Sequence, residues 1–208
     1  MSPRGRSAAQ GKRAAILGAA LRLFGQYGYK RTSIDDIATE ADIAKGSVYL
    51  SFASKEEIFR ALCEDIVRRV EAQALRARDS DAPLPDRILA ILQAKFGFYF
   101  ETVRSSPHAA ELMDSKNRLS AGIFEKSDRR YQRILRDAIE AASARGEIAP
   151  SRHGMSPDSV VELLLAGAYG IEHSATSAAV MRRRMTELVN VVLAGISAEE
   201  EKPAPGAS

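Results

Sequence analysis

The sequence predicts an all-α protein that consists of a small N-terminal helix-turn-helix module and a larger C-terminal helical body. Apolar residues recur at helical spacing along nearly the whole chain of 208 residues. No segment shows the alternation of apolar and polar residues that is typical of a strand. The run DSDAPLP over residues 79–85 contains strong helix breakers and separates the two parts.

The N-terminal module is predicted to contain a longer helix followed by two short ones. Residues 12–28 place apolar side chains on one face, and Gly28 is a natural stop. Ser33 begins the first short helix, which has two aspartates in its first turn, where the helix dipole favours negative charge. The second short helix covers about residues 44–52, so the helix-turn-helix motif spans about residues 33–52.

A long helix is predicted to begin after Ser54 and to end near residue 78, with Glu57 completing a capping box at its start. Beyond the break, five more helices are expected at about residues 86–104, 107–117, 119–145, 156–175 and 178–197. We therefore assign residues 10–70 to the helix-turn-helix domain and residues 71–197 to the C-terminal domain. Residues 198–208 have the composition of a disordered tail.

The charge of the chain is small overall but concentrated at its N-terminal end. The net charge is +3, and residues 1–60 contain ten Lys or Arg against six acidic residues. A basic end on a near-neutral body is typical of a protein that meets a polyanion with one end. The single cysteine, Cys63, excludes an internal disulfide, and no apolar run reaches the roughly 18 residues that a membrane-spanning helix needs. We expect a cytoplasmic protein with no membrane partner.

The second short helix has the chemistry of a helix that lies in a DNA groove. Lys45 and Ser47 can hydrogen-bond to base edges or phosphates, and Gly46 allows a close approach to the duplex. The alternative is that the lysines of this region are solvated surface residues and that Tyr49 is a half-buried packing residue. The predicted DNA-contacting residues are Thr32, Ser33, Lys45, Gly46, Ser47, Tyr49, Leu50 and Lys55.

Residues 10–70 resemble the DNA-binding domain of the TetR family of one-component transcriptional regulators. The matching residues occur in the family's order and at its spacing; they are Phe24, Gly28, Thr32-Ser33-Ile34, Asp36-Ile37-Ala38, Ala41, Lys45-Gly46-Ser47-Val48-Tyr49, Phe52 and Ser54-Lys55-Glu56-Glu57. This resemblance implies a homodimer whose C-terminal helices form the dimer interface and hold an inducer pocket. Most proteins of the family act as repressors. The remainder of the chain is similar to the family only in length and helical character.

Three residues depart from the family's usual pattern. Asp42 stands in the turn where the family usually has Gly, and Asp adopts the left-handed backbone region more readily than most residues. Ala44 replaces a common Ser and removes a cap from the second short helix. Ser51 stands where Tyr or His is frequent, so the family's phosphate contact at this position is not carried over.

The first nine residues are predicted to form a flexible basic arm. Together with Lys12 and Arg13, its arginines suit an arm that reaches into the minor groove of DNA. A disordered, solubilising terminus explains the same composition. The sequence does not separate these two interpretations.

The C-terminal body has an unusual concentration of aromatic residues. Core packing explains any one of them, but together they suit the walls of a cavity for a small hydrophobic or aromatic effector. The candidate ligand-binding residues are Phe96, Tyr99, Phe100, Met113, Phe124, Tyr131 and Tyr169. The three histidines have no metal-ligand spacing, so we expect neither a metal nor a cofactor.

The last two predicted helices have the apolar character of a dimer interface. The segment VVELLLAGAYG is apolar around more of its circumference than a single core face requires. Two helices from each subunit would then form a four-helix interface with two-fold symmetry. The alternative is packing inside one subunit. The candidate interface residues are Val161, Leu164, Leu165, Ala168, Met185, Leu188, Val189 and Val192.

These observations predict a transcriptional regulator, and the simplest form is a repressor homodimer that binds a palindromic double-stranded operator and is released by its effector. An activator would use the same parts, and a DNA-binding protein without sequence preference is a further alternative. The sequence contains no visible nucleophile–base pair, metal cluster or phosphate-binding loop that would indicate an enzyme.

Overall fold

The computed structural model describes residues 3–104, 108, 120 and 122–198, without the side chains of residues 3–9 and 103–104. Within these ranges the protein is all-α, which confirms the predicted fold class, and none of the helices is long and apolar enough to cross a membrane. The eight α-helices found there are α1 (Pro3–Tyr27), α2 (Ile34–Glu40), α3 (Lys45–Ser51), α4 (Lys55–Arg78), α5 (Leu84–Arg104), α6 (Ile123–Ala144), α7 (Pro157–Ser174) and α8 (Ala178–Gly195). A 3-10 helix covers Pro150–His153.

Two compact units share the chain. The first contains residues 1–70 and 99–129, and the second contains residues 71–98 and 130–208. The described residues among 99–129, which fall within the predicted C-terminal domain, group with the first unit, and the predicted domain bounds stay a prediction. As a result, α4, α5 and α6 each contribute residues to both units.

Helix α1 begins earlier in the chain than the sequence predicts. Helix α1 ends at Tyr27, before Gly28 with its φ of 85°, but it begins at Pro3. The backbone of residues 3–9, predicted as a flexible arm, is helical here, since Pro is favoured in the first turn and four of the seven residues are Arg or Ala, which are good helix formers. The predicted helix at 107–117 and residues 199–208 of the predicted tail lie outside the described residues.

The first unit has a core that holds α2 and α3 in place. The rings of Phe24, Tyr29 and Phe59 pack together with centroids 5.1 to 6.0 Å apart. The inner residues of the short helices, Ile37 on α2 and Val48 on α3, are completely buried. Burial of these side chains fixes which faces of α2 and α3 point outward.

The second unit has its own core, in which α7 and α8 approach closely. Tyr131 is buried, and its hydroxyl donates a 2.7 Å hydrogen bond to the Ile91 carbonyl. On α7, a Cβ placed on Gly167 would lie 2.7 Å from a methyl carbon of Leu188 on α8. Glycine at this position therefore lets Leu188 pack against α7 without a shift of its side chain.

Candidate nucleic-acid interface

Helix α2 begins with a capping box. The Ser33 hydroxyl accepts a hydrogen bond from the Asp36 main-chain N–H, and the Asp36 carboxylate accepts one from the Ser33 N–H at 2.8 Å. These hydrogen bonds hold the pKa of Asp36 below its ordinary value. Ser33 is exposed, as a DNA contact requires, but its hydroxyl is already engaged in the cap.

The turn between α2 and α3 depends on Asp42. Its φ is 53°, in the left-handed region, which confirms that Asp takes the place of glycine there. Ala44 is the N-cap of α3 and makes no side-chain capping bond, also as predicted. Helix α3 is therefore oriented by the turn and by its buried residues instead of by a cap.

The inner face of α3 is fixed by contacts with α1. Val48 and Phe52 are buried, and the Arg13 guanidinium carbon lies 4.2 Å from the centroid of the Phe52 ring. An Arg13 nitrogen also donates to the Ser51 carbonyl at 3.5 Å, where a cation is favourable because the helix ends there. Arg13 therefore supports α3 in this structure, a role that the sequence did not indicate.

The outer face of α3 brings together most of the predicted DNA-contacting residues. Lys45 and Gly46 are exposed, Tyr49 is 49% exposed and Leu50 is 90% exposed, while Ser47 is partly buried. A Cβ placed on Gly46 would meet nothing within 4 Å, so the protein's own packing does not require glycine there. The outer face of α3 is polar at Lys45, has no side chain at Gly46 and is apolar at Leu50.

An acidic residue that the sequence analysis did not single out lies beside this face. Asp35 on α2 forms a 2.7 Å salt bridge with Lys45. The pKa of Lys45 is raised, mainly by its hydrogen bond to Asp35 and then by the carboxylate's charge. The spacing of ten residues between the two hides this pairing in the sequence, because it depends on the angle between α2 and α3.

Two residues that were predicted to contact DNA make hydrogen bonds within the protein. Thr32 is only 2% exposed, and its hydroxyl donates to the main-chain carbonyls of Leu23 and Gly28. The Lys55 ammonium donates to the carbonyls of Tyr29 and Thr32 at 2.9 and 2.8 Å and lies 4.5 Å from the Tyr29 ring centroid. The Thr32 hydroxyl is therefore engaged inside the protein, and its contact with DNA stays a prediction. Lys55 joins the start of α4 to the segment that precedes α2.

Comparison with known proteins identifies the family of this helix-turn-helix. The family described as "Bacterial regulatory proteins, tetR family" matches residues 16–62, which include α2, α3 and the start of α4. The HTH-type transcriptional regulator EthR of Mycolicibacterium smegmatis is 26% identical over 188 residues, which are 86% of this chain and 81% of EthR.

Solved structures share the fold along almost the whole chain. A TetR-family protein from Mesorhizobium loti has a TM-score of 0.69 at 19% identity, covering 95% of this chain and all of that one. SmeT, the repressor of the Stenotrophomonas maltophilia efflux pump SmeDEF, has a TM-score of 0.64 at 22% identity, covering 94% of each chain. The helix-turn-helix region, residues 16–62, therefore matches the TetR family of bacterial regulatory proteins, and the whole chain shares the fold of solved TetR-family structures.

The predicted aromatic ligand residues are divided between the two units. Phe96, Tyr131 and Tyr169 belong to the second unit, and the rings of Phe96 and Tyr169 meet edge to face with centroids 4.9 Å apart. The residues of the set that belong to the first unit are Tyr99, Phe100 and Phe124. Phe96, Phe100 and Tyr131 are buried, and Tyr169 is 48% exposed. Met113 lies outside the described residues.

A lysine that the sequence analysis did not single out lies among the aromatic rings of the second unit. The Lys95 ammonium donates a 2.9 Å hydrogen bond to the Tyr169 hydroxyl. It also lies 5.1 to 5.6 Å from the ring centroids of Phe96, Tyr131 and Tyr169. This cation is stabilised by the negative faces of the rings and gives the cluster a positive polar group.

The predicted dimer-interface residues are mostly core residues of one subunit. Leu188 is partly exposed and packs against Gly167, whereas the buried members are Val161, Leu164, Leu165, Ala168, Met185, Val189 and Val192. Their assignment to a dimer interface stays a prediction, and in the single subunit these seven side chains are buried in the core. The large apolar residues that these helices leave uncovered are Leu163, Tyr169 and Val191, at 47%, 48% and 72% exposure.

Titratable side chains elsewhere in the described ranges do not form a metal site. No three His, Cys, Asp or Glu residues lie close enough there to hold an ion. Cys63 is buried in the first unit, and this burial raises the pKa of its thiol to about 12. The thiol is therefore protonated at neutral pH and is a poor nucleophile.

Proposed function

We propose that this regulator is a ligand-released repressor that binds a palindromic operator as a homodimer. The observation that carries the proposal is the outer face of α3, where Lys45, Tyr49 and Leu50 are exposed around the bare backbone of Gly46. Such a face fits the major groove, since it combines a charge for phosphate with side chains that reach base edges. The similarity to SmeT, which is a repressor, supports the same direction of regulation.

A dimer is supported by the uncovered apolar surface of α7 and α8. Leu163 lies one turn before Gly167, and Val191 lies about one turn after Leu188, so both flank the point where the helices approach each other. Ala166 and Gly170, which share this side of α7 with Leu163, are exposed and small enough for another helix to approach. We propose that Leu163 and Val191 are the central apolar residues of the interface between subunits.

The effector is proposed to be a small hydrophobic or aromatic molecule. SmeT has been solved as a complex with triclosan, a compound of this class. The aromatic cluster of the second unit, with Tyr169 half exposed beside Lys95, supplies stacking surfaces and one positive group for such a ligand. Because α4 contributes residues to both units, we propose that ligand binding shifts this helix and changes the separation of the two α3 helices.

Selection of bound sequences from random DNA tests this function. We expect an enriched palindrome whose half-site centres are about 34–36 Å apart or a multiple of that distance, as two symmetric α3 helices require. In a purified transcription assay, the protein should lower transcription from a promoter that overlaps the palindrome, and triclosan, used as a probe, should weaken binding. Binding without any enriched sequence would contradict the proposal, and increased transcription would favour an activator.

A further inference from the structure

The most exposed large apolar side chain among the described residues lies on α3. Leu50 is 90% exposed, compared with 72% for Val191 and 49% for Tyr49. A leucine that contacts almost nothing in its own protein gains no packing energy from folding, and on this helix it lies among polar neighbours. A single exposed leucine is ordinary on a protein surface, so the inference depends on the position of Leu50 on the outer face of α3 and not on its exposure alone.

The position of Leu50 is fixed by the residues that α3 buries. Val48 is completely buried, and Leu50 follows it by two residues, which places it on the opposite side of the helix. Phe52, at the end of the helix, is held between the core and the Arg13 guanidinium. Because both anchors are buried, α3 cannot rotate to cover Leu50 without exposing them.

The surroundings of Leu50 allow it to reach the floor of a groove. Gly46 precedes it by four residues and so lies on the same side of α3, one turn earlier. A Cβ at Gly46 would meet nothing within 4 Å, so this turn of the helix has open space where a side chain would stand. Leu50 therefore projects beyond its neighbour and meets base edges before the helix backbone does.

The chemistry of the groove leaves one partner for such a side chain. Leucine cannot donate or accept a hydrogen bond, and contact with a phosphate or a base nitrogen would remove water from that group without replacing its bonds. The apolar group that the major groove presents is the C5 methyl of thymine. We propose that Leu50 is a specificity-determining residue that packs against a thymine methyl, so that each operator half-site carries thymine at the facing position.

This inference rests on the proposed sequence-specific binding and is tested by removing the methyl group alone. In the selected operator, each thymine is replaced in turn by deoxyuridine, which keeps base pairing and removes only C5 methylation. For the unmodified protein, we expect one position per half-site at which affinity falls about fourfold, the size expected for losing one buried methyl group. For Leu50→Ala, the same replacement should cause no further loss.

Two controls make the comparison specific. Leu75→Ala alters a leucine that is 37% exposed on α4, outside the helix-turn-helix, and should keep the deoxyuridine profile of the unmodified protein. The thermal unfolding midpoint of Leu50→Ala should stay within about 1 °C of the unmodified value, since a 90% exposed side chain adds little to the core.

The outcomes separate this inference from the proposed function. If no palindrome is enriched, both are overturned. If a palindrome is enriched but no thymine shows a deoxyuridine effect that depends on Leu50, only the assignment of Leu50 is overturned. A Leu50-dependent effect at one thymine per half-site supports both.

Discussion

Lys45 on α3 is paired with Asp35 on α2 across a 2.7 Å salt bridge, so the cation of the DNA-facing helix is already engaged by the protein's own carboxylate. Both side chains are more than half exposed. A phosphate that binds Lys45 must therefore compete with Asp35, and the negative charge of Asp35 also repels the DNA backbone. In the proposed complex with DNA, this pairing would weaken the contact between Lys45 and a phosphate.

Asp35→Asn should strengthen DNA binding by about two- to fivefold, because it releases Lys45 from an exposed ion pair of modest strength. Fluorescence anisotropy with labelled operator at 50 mM and 200 mM salt measures the effect, which should shrink at the higher salt. Glu40→Gln is the matched control, since it removes the same charge from α2 but frees Arg22 instead. An equal gain from both variants would show that only overall charge matters.

Gly46→Ala should change stability and DNA affinity in opposite directions. Alanine favours a helix by about 1 kcal/mol relative to glycine, and no atom of the protein obstructs the new Cβ, so the unfolding temperature should rise. The same Cβ fills the open space on the DNA-facing side, so operator affinity should fall at least tenfold. Gly18→Ala in α1 is the control; its Cβ would meet only the end of the Arg22 side chain at 3.7 Å, and it should stabilise without loss of binding. Unchanged affinity for Gly46→Ala would contradict a close approach of α3 to the duplex.

Lys55 and Lys45 should respond differently to replacement by methionine. Lys55→Met removes the donor to the Tyr29 and Thr32 carbonyls, so it should lower the free energy of unfolding by about 1–2 kcal/mol. Lys45→Met should leave stability nearly unchanged and reduce the slope of log affinity against log salt by about 1 if Lys45 binds one phosphate. A reduced salt slope for Lys55→Met, measured on the folded variant, would restore it as a phosphate contact.

The difference between these two lysines shows where prediction from the sequence ends. The order of residues from Phe24 to Glu57 was sufficient to predict the helices, the turn and the left-handed backbone of Asp42, because these depend on local spacing and propensity. A lysine ammonium, however, binds phosphate and main-chain carbonyl equally well. Only the fold brings the Tyr29 carbonyl, 26 residues away, to Lys55.

The C-terminal helices illustrate the same limit for apolar residues. Helical periodicity marks residues such as Leu164 and Met185 as buried, but it does not tell whether the covering helix belongs to the same subunit. Exposure is what distinguishes Leu163, which lies in line with the exposed Ala166 and Gly170 on the same side of α7 as Gly167. The position of Lys95 could not be predicted for a related reason. A lysine is normally expected at the surface, and only the fold shows that aromatic rings surround the Lys95 ammonium.

Val191→Glu should convert the proposed dimer to a monomer. A carboxylate at the centre of an apolar interface loses its water without gaining a partner, so dimer affinity should fall at least 100-fold. Sedimentation equilibrium at micromolar protein concentration measures the mass, and circular dichroism checks that the helices remain. Leu75→Glu, a similar change at an exposed leucine on α4, should stay dimeric. If the unmodified protein is monomeric under these conditions, the proposed interface is wrong.

The reactivity of the buried Cys63 thiol reports on transient unfolding of the first unit. The folded protein keeps the thiol covered and raises its pKa to about 12, whereas an unfolded chain exposes a thiol that ionises near pH 8.5. Labelling by a thiol reagent at pH 8 should therefore proceed at the rate of transient unfolding, and bound operator should slow it because DNA binds only the folded form. Fast labelling of the folded protein would contradict this. Because the chain has one cysteine in 208 residues, labelling of the unmodified protein reports on the unit that contains the helix-turn-helix. An effector that detaches the operator without loosening that unit should return the labelling rate to that of the operator-free protein and no higher.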